Sequence, residues 1–440
     1  MNLRRRNSRI GRALTVLLFG GLLAGCSDDD GGIVNPPPPP PPPPSEGVLS
    51  GTLTSSQTLD PSLTYRIQGT VIVDDGSTLT IPAGTTLMGD VAFTGSALIV
   101  RQGGRLVAEG TPTDPIVFTS SNPPGSRNRA DWGGVVLNGR SICNFTSVGE
   151  DCVGEGNSGP YGGNVLDDDS GVLSYVRIEY AGFEVSFGNE LNGLTLNGVG
   201  SGTQIDHVQS HFGSDDGIEL FGGTVDIKFA IVTGASDDSF DYSTGWQGRG
   251  QFWIVQHDPN DADNGFEIDG NESDPDATPF TDPLIYNVTL VGKESGTGTA
   301  GESARGILFR RGTGGDVYNF VVLGFETGID IDQQETVGRV SIQNSYFFGS
   351  GDLFEGDSDG IDEMAIVMDP SWNNVTGVDP SLADPFNLTS PDFRPAAGSP
   401  LMSGFASPPN DGFFDQVDFI GGVSPDGTPW YEGWITTDQS

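Results

Sequence analysis

The chain has 440 residues, with 20 basic and 60 acidic side chains and a formal net charge of -40. So acidic a balance excludes nucleic acid and an anionic membrane surface as partners, because both carry charge of the same sign. The 66 glycines, the 35% of apolar residues and the lack of a long helical periodicity favour a turn-rich all-β fold.

The N-terminus has the pattern of an export signal. Five arginines precede an apolar run from Ala13 to Leu23, and the run ends in Leu23-Ala24-Gly25-Cys26. This order predicts a signal peptide over residues 1–25. Its last four residues resemble the lipobox of bacterial lipoproteins, which implies cleavage before Cys26 and a lipid such as palmitate on that cysteine. The alternative is an ordinary secretory peptide with a chance cysteine.

Residues 26–46 are expected to form a tether. The run Ser27-Asp28-Asp29-Asp30 resembles the acidic tag of some surface-exposed bacterial lipoproteins. The nine prolines Pro36 to Pro44 favour a stiff polyproline II rod of roughly 28 Å, at about 3.1 Å per residue. We therefore expect a protein anchored in the cell outer membrane through Cys26, with its folded part facing the cell exterior.

One short phrase recurs in the middle of the chain, with spacings of 22 and 26 residues. Its copies are Ser214-Asp215-Asp216-Gly217-Ile218-Glu219-Leu220, Ser236-Asp237-Asp238-Ser239-Phe240-Asp241-Tyr242 and Asp263-Asn264-Gly265-Phe266-Glu267-Ile268. A second series of short apolar segments runs between the copies. Two strands in each repeat predict a parallel β-helix solenoid over residues 47–395, with coils of about 22–26 residues and a right-handed path.

Two regions break this period. Residues 119–170 predict a long loop insertion, in which the exported cysteines Cys143 and Cys152 are expected to form a disulfide. Residues 396–440 are expected to cap the open end of the solenoid, because an end coil exposes unpaired strand edges. The aromatic residues of this segment are Phe413, Phe414, Phe419, Trp430 and Trp434.

Asparagines recur at matching places of successive repeats, at Asn287, Asn319 and Asn344. They are similar to the asparagine ladders of pectate-lyase-like proteins, and residues 47–400 resemble the right-handed β-helix of that kind. The whole chain resembles a group of bacterial surface lipoproteins with this fold. The resemblance implies the fold and leaves the function open, since the fold carries lyases, hydrolases, adhesins and stalks.

The recurring phrase also predicts an acidic column. Because side chains alternate along a strand, Glu219, Asp241 and Glu267 are expected to point outward at a spacing of about 4.8 Å. Turn residues border them: Asp215, Asp216, Asp237, Asp238 and Asp263. If the loops 271–282 or 293–305 cover this column, either a cation binds or pKa values rise.

Two interpretations of these acids stay open at this point. Hard carboxylate oxygens favour Ca²⁺, which takes about 6 to 8 of them. Alternatively, Asp-Gly and Asp-Asp are simply favourable turn residues.

The sequence favours a surface protein that binds an extracellular ligand, either carbohydrate or another surface protein, with calcium as a candidate cofactor. Trp246, Trp253 and Arg305 are the candidate ligand-binding residues outside the acids. The alternative is a calcium-dependent polysaccharide lyase or a glycoside hydrolase. Asp215-Asp216 resembles the Asp-Asp segment of polygalacturonase-type hydrolases, but the other motifs of that family are absent and no catalytic residue is assigned.

Overall fold

The computed structural model describes residues 46–145, 152–356 and 359–440. The predicted signal peptide, Cys26 and the polyproline run lie outside these residues. Strands and turns make up almost all of the described chain, because glycine, asparagine and aspartate interrupt its apolar segments every few residues. No helix in the described part is long and apolar enough to cross a membrane.

The strands are short, and in chain order they are β1 (Glu46–Leu53), β2 (Gln57–Thr58), β3 (Thr64–Val73), β4 (Thr78–Pro82), β5 (Thr86–Gly89), β6 (Ala97–Val100), β7 (Arg105–Glu109), β8 (Ile116–Ser120), β9 (Val135–Asn138), β10 (Cys152–Gly154), β11 (Gly159–Tyr161), β12 (Gly171–Glu179), β13 (Leu194–Asn197), β14 (Gln204–His211), β15 (Ile218–Phe221), β16 (Asp226–Thr233), β17 (Phe240–Ser243), β18 (Arg249–Gln256), β19 (Phe266–Asp269), β20 (Leu284–Val291), β21 (Arg305–Arg310), β22 (Gly315–Leu323), β23 (Thr327–Ile331), β24 (Val340–Gln343), β25 (Tyr346–Phe348), β26 (Asp352–Phe354), β27 (Val375–Thr376), β28 (Leu382–Asp384) and β29 (Asp392–Pro395). Within the described ranges, one α-helix, α1, spans Glu363–Val367, and a single 3-10 turn spans Pro400–Met402.

Parallel pairing between successive coils stacks these strands into three sheets. Sheet 1 contains the second half of β3 with β6, β9, β13, β15, β17, β19, β21, β23 and β26. Sheet 2 contains β2, β4, β7, β24 and the first halves of β12, β14, β16, β18, β20 and β22. Sheet 3 contains the first parts of β1 and β3, then β5 and β8. It continues with the second halves of β12, β14, β16, β18, β20 and β22, and ends with β25 and β27. The chain is thus the right-handed parallel β-helix that the repeats predicted.

The interior of the helix confirms the predicted alternation along sheet 1. The inward-facing side chains of the recurring phrase are 0% exposed: Ile218, Leu220, Phe240, Tyr242, Phe266 and Ile268. Phe240 stacks on Trp253 with 4.5 Å between the ring centroids. The recurring phrase therefore places its apolar residues in the core and its acids on the outer face.

A ladder of left-handed residues marks the bend between sheets 2 and 3. We call it the bend ladder, and its members have φ between 50° and 61°: Tyr175, His207, Phe229, Phe252, Asn287, Asn319 and Asn344. The predicted asparagine ladder is confirmed, and four ring-bearing residues extend it. Asparagine tolerates positive φ better than most residues, whereas the rings stack at centroid distances of 4.2, 4.4 and 5.0 Å, which offsets the strain.

The C-terminal segment lies elsewhere than expected. Residues 396–440 run back along the bend ladder, so that they cover the flank of the solenoid rather than its end. Glutamine side chains bind the segment at two points, since the Gln251 amide donates to Asp415 O and accepts from Asp415 N at 2.9 and 2.8 Å. Gln209 makes the same pair of bonds to Thr436, at 2.8 Å each. The predicted cap is therefore a strap.

The end of the solenoid is covered by other residues. Helix α1 follows the last coils and buries Val367 completely in the main core, with Trp372 packed beside it. Asp362 caps this helix by accepting a hydrogen bond from Ala365 N at 3.0 Å.

The insertion after β9 carries a small antiparallel hairpin of β10 and β11. Cys143 and Cys152 are disulfide-bonded, as the sequence predicted. The bond packs in a small apolar cluster with Tyr161 of the hairpin and Phe221 on the outer face of sheet 1. The insertion is thereby fixed against the sheet that carries the acidic residues.

Candidate metal centre

The predicted acidic column exists on the outer face of sheet 1. We use the name acidic column for Glu219, Asp241 and Glu267, which occupy one register position on β15, β17 and β19. The same position is Thr195 in the preceding coil and Leu308 in the following coil. The recurrence seen in the sequence is therefore a spatial stack of carboxylates.

A second line of acids precedes these strands at the turn. Asp216 accepts a hydrogen bond from Asp238 N at 3.0 Å, and Asp238 accepts one from Asn264 N at 2.8 Å. Each coil thus ties its turn to the next through a carboxylate. The turn function of these aspartates is real, and it uses one oxygen of each side chain.

Together the two lines form four overlapping groups of carboxylates. In each group one oxygen from every member lies within 4.8 Å of the others, and the groups are Asp215, Asp216 and Asp237; Asp216, Glu219 and Asp241; Asp237, Asp238 and Asp263; and Asp238, Asp241 and Glu267. All eight acids predicted from the sequence are brought together. Asp241 is shared by the two groups that include the acidic column.

The acidic column is covered by the predicted insertion, which the sequence analysis did not place over it. Glu219 is 6% exposed and Asp238 is 5% exposed. The β10–β11 hairpin lies over this face, where Asn138 donates to Ser158 O at 2.8 Å and Gly156 N donates to Asn189 Oδ1 at 2.8 Å. The hairpin therefore also contacts the loop before β13.

The two loops that the sequence analysis considered as covers, 271–282 and 293–305, pack against other segments. Asn271 donates to Asn144 O at 2.9 Å, so the loop 271–282 packs against the insertion. The loop 293–305 packs against the turn before β19, where Ala262 N donates to Glu302 at 2.8 Å. Neither contact involves a residue of the acidic column, so the cover that the sequence analysis considered for these loops is provided by the hairpin instead.

Burial and mutual repulsion raise the pKa of every carboxyl group in the four clusters. Desolvation is the largest cause at Asp216, Glu219, Asp238 and Asp241, whose pKa values lie well above the ordinary range. At Asp215 burial, with the nearby charge of Glu190, raises the pKa to about 8. This is the direction that burial and like charge impose on a covered group of acids.

Two further acids join the column from the covering loops. Glu155 on the hairpin repels Glu219 and Asp241, and Glu190 on the loop before β13 repels Asp215 and Asp237. The sequence analysis missed both, because neither lies in the repeat. No periodic signal marks a residue that reaches a solenoid face from an insertion.

Three buried oxygens at the column have no hydrogen-bond partner: Asp241 Oδ1, Asn192 Oδ1 and Asn264 Oδ1. Both asparagines are 1% exposed and touch the column directly. Asn192 Nδ2 donates to Glu219, and Asn264 Nδ2 donates to Glu267 at 3.3 Å. An unpaired buried polar group costs about 1–3 kcal/mol, so three acceptor oxygens around one acidic cluster favour a cationic partner.

Positive charge reaches only one end of the column among the described residues. Arg310 pairs with Glu267 and binds Asp269 at 2.8 Å, and Arg311 binds Asp269 at 2.5 Å. Glu219 and Asp241 have no such ion pair in the described part of the chain. Ionisation of Glu219 or Asp241 is therefore not compensated by an ion pair among the described residues.

The three candidate ligand-binding residues outside the acids do not form a site. Trp246 and Trp253 are 0% exposed, and their indole nitrogens donate to Val225 O and Ile227 O inside the solenoid. Their assignment to ligand binding was wrong, because Trp253 on β18 and Trp246 in the turn before β18 both point into the core. Arg305 pairs with Asp330 at 2.6 Å and lies one coil beyond the column.

The comparison with protein families gives one match. The family model for the pectate-lyase-like beta helix domain matches residues 51–351. These residues contain the whole acidic column, the insertion and the whole bend ladder. No curated protein and no solved structure matches the chain.

Proposed function

Because the chain belongs to the pectate-lyase-like β-helix domain family, whose fold alone does not specify an activity, we propose a function from the acidic column. The protein binds calcium there, and with it an extracellular ligand, either carbohydrate or another surface protein. The observation that carries this proposal is the set of three buried acceptor oxygens without a partner beside stacked carboxylates. A turn function of the aspartates leaves those oxygens unexplained.

The carboxylate groups suit two neighbouring ions that share Asp241. One ion is held by Asp216, Glu219 and Asp241, and the other by Asp238, Asp241 and Glu267. Rotation of the Asn192 side-chain amide by half a turn brings its Oδ1 to the side of Glu219, where it becomes a further ligand. Calcium accepts such irregular sets of oxygen ligands, whereas magnesium requires near-octahedral geometry.

For the lyase alternative, the described residues place no unpaired arginine beside the column. An arginine that abstracts a proton must be free of strong carboxylate partners, yet Arg310 binds Glu267 and Asp269, and Arg305 binds Asp330. Pairing with carboxylates stabilises the charged form of a guanidinium group. Binding is therefore the function that this arrangement supports best.

Isothermal titration calorimetry of the folded protein with CaCl₂ tests the cation site. We expect saturable binding that Asp238→Asn with Asp241→Asn abolishes, and a stabilisation of about 2.7 kcal/mol at a hundredfold excess of calcium over the dissociation constant. The matched control is Asp418→Asn with Asp426→Asn, two exposed aspartates outside the column, which leaves binding intact. No heat and no stabilisation with the wild type would refute the proposal.

We further propose that the mature protein is anchored in the cell outer membrane through lipid on Cys26 and faces the cell exterior. The support is the lipobox-like run Leu23-Ala24-Gly25-Cys26 and the acidic and proline-rich residues after it. Cys26→Ser should release the protein into the soluble fraction, whereas Cys143→Ser should not. Retention of the Cys26 variant in the membrane fraction would contradict the anchor.

A further inference from the structure

A second cleft lies under the β10–β11 hairpin, at the N-terminal coils of sheet 1. It has a volume of about 340 Å³. Ile72 and Ile99 form an apolar floor on β3 and β6, and Ser158, Gly159 and Pro160 of the hairpin form the facing wall. The hairpin thus covers the acidic column with one part and encloses this cleft with another.

The charges at the cleft are compensated, in contrast to those of the acidic column. Asp74 binds Arg101 at 3.1 Å, and Asp75 binds Arg140 at 3.0 Å. All four side chains are partly exposed, so they remain accessible to a ligand at the rim. Because each acid has its own arginine, the cleft has no excess charge that selects a cation or an anion.

The walls of the cleft are held together by a side-chain amide. Gln102 Nε2 donates to Gly139 O at 3.2 Å and to Gly162 O at 2.7 Å, which ties the turn after β6 to both ends of the insertion. The disulfide between Cys143 and Cys152 fixes the hairpin from the other side. The cleft is therefore largely preformed, as small-molecule sites usually are.

The apolar floor and the paired charges of the cleft indicate which kind of ligand it fits. A flat apolar floor matches the C–H face of a sugar ring, and paired carboxylates and guanidinium groups accept and donate hydrogen bonds to neighbouring hydroxyls. The volume is at the lower end of the roughly 300–1,000 Å³ of ligand sites, which admits one or two sugar rings. We propose that this cleft binds a neutral saccharide unit of an extracellular glycan, independently of calcium.

Saturation-transfer NMR in EDTA with cellobiose, maltose and lactose tests this site separately from the cation site. We expect at least one of the three to bind at about 10 mM, a concentration that fills a site with a dissociation constant near 1 mM. Digalacturonate serves as the charged comparison and should bind more weakly. Because the assay excludes calcium, its failure leaves the proposed cation site standing, and the reverse is also true.

Filling the cleft gives the matched variants. Thr70→Phe places a ring in the cleft from an exposed position on β3, and it should weaken disaccharide binding by about tenfold or more. Thr80→Phe makes the same change on β4 of sheet 2 and should leave binding unchanged. Ile72→Trp fills the floor instead and replaces Thr70→Phe if that variant misfolds. The proposal is overturned if no neutral disaccharide binds, if digalacturonate binds equally well, or if the filled cleft binds as the wild type does.

Discussion

Two stacks of side chains run along this solenoid, and other parts of the chain cover both. The bend ladder lies under the C-terminal strap, and the acidic column lies under the disulfide-bonded hairpin. At the bend ladder the covering chain satisfies the polar groups: Asn319 Nδ2 donates to Ala406 O at 2.8 Å, and Asn319 Oδ1 accepts from Ala406 N at 2.7 Å. Asn287 likewise donates to Phe419 O at 2.9 Å.

The acidic column has the opposite character. Its cover brings another carboxylate, Glu155, towards Glu219 and Asp241, and it leaves oxygens of Asn192 and Asn264 without partners. Burial alone does not distinguish a structural stack from a binding site. The distinction lies in whether the covering chain supplies the missing hydrogen bonds and charges, because a stack that lacks them costs stability until a ligand supplies them.

The largest expected effect is the loss of stability when the packing of the strap on the bend ladder is removed. Trp434 of the strap is 0% exposed and packs edge-on against Tyr175 of the bend ladder, with 5.7 Å between the ring centroids. Trp434→Ala should lower the free energy of unfolding by about 3–5 kcal/mol, the usual cost of truncating a buried tryptophan. Urea denaturation followed by circular dichroism measures this loss.

The loss should be the same in calcium and in EDTA, because Trp434 contacts no residue of the acidic column. A calcium-dependent loss would mean that the strap and the column are coupled, and the two stacks would then not be independent. Trp430→Ala, at a partly buried position of the same strap, provides the graded control and should cost less.

The second prediction concerns the acidic column and has a sign that depends on calcium. In EDTA at neutral pH, Asp241→Asn should stabilise the protein by about 1–3 kcal/mol. It removes a carboxyl group that either repels its neighbours, by roughly 3.5 kcal/mol for unit charges about 4.8 Å apart at an effective dielectric of 20, or takes up a proton against its ordinary pKa. In saturating calcium the same variant should be less stable than the wild type. Thermal melting in both buffers measures the reversal.

Asp330→Asn is the control for this reversal. Asp330 lies on the same outer face but pairs with Arg305 at 2.6 Å. Its replacement leaves that guanidinium group without its main partner, so the variant should be destabilised in both buffers. If Asp241→Asn also destabilises in EDTA, the column is not strained in the absence of the ion.

The sequence predicted the acidic column and the asparagines of the bend ladder, but it did not predict which segments cover them. Period and alternation located the coils, the inward Phe240 and the outward Asp241, because strand pairing repeats the same geometry in every coil. The ladder of asparagines followed from the same repeat. Residues that recur in the repeat are predictable, because each copy occupies the equivalent position in the next coil.

What the sequence could not show comes from outside the repeat. The hairpin over Glu219 and the strap over the bend ladder are irregular segments, and their positions depend on single contacts such as Asn138 to Ser158 and Gln251 to Asp415. The inward position of Trp253 was missed although its strand was identified. Its side-chain direction depends on the left-handed residue Phe252, which shifts the alternation at the bend.

The smallest expected effect is a change of slope in the dependence of stability on pH. Asp215, in the turn beside the acidic column, has a folded pKa of about 8 against an ordinary value of 3.8. The pKa values of Asp216 in the same turn and of Asp241 in the column shift in the same direction. For an acid whose pKa rises on folding, the folded state binds more protons. Its contribution to stability is complete below about pH 3.8 and is lost as the pH rises towards 8.

In EDTA the melting temperature should therefore fall as the pH rises from 5 to 8. Saturating calcium keeps the carboxylates ionised and paired, so the fall should disappear. Burial lowers the pKa of His211 and His257 from 6.5 to about 4, so these histidines add a slope of the opposite sign below about pH 6.5. Their contribution is the same with and without calcium, and the difference between the two buffers therefore isolates the acids. Asp215→Asn with Asp237→Asn should reduce the slope of melting temperature against pH in EDTA. Trp434→Ala should lower the melting temperature at every pH without changing that slope. An equal slope of melting temperature against pH with and without calcium would show that the acids of the column and its turns are not the groups that titrate. The acidic column and the bend ladder would then differ in geometry but not in electrostatics.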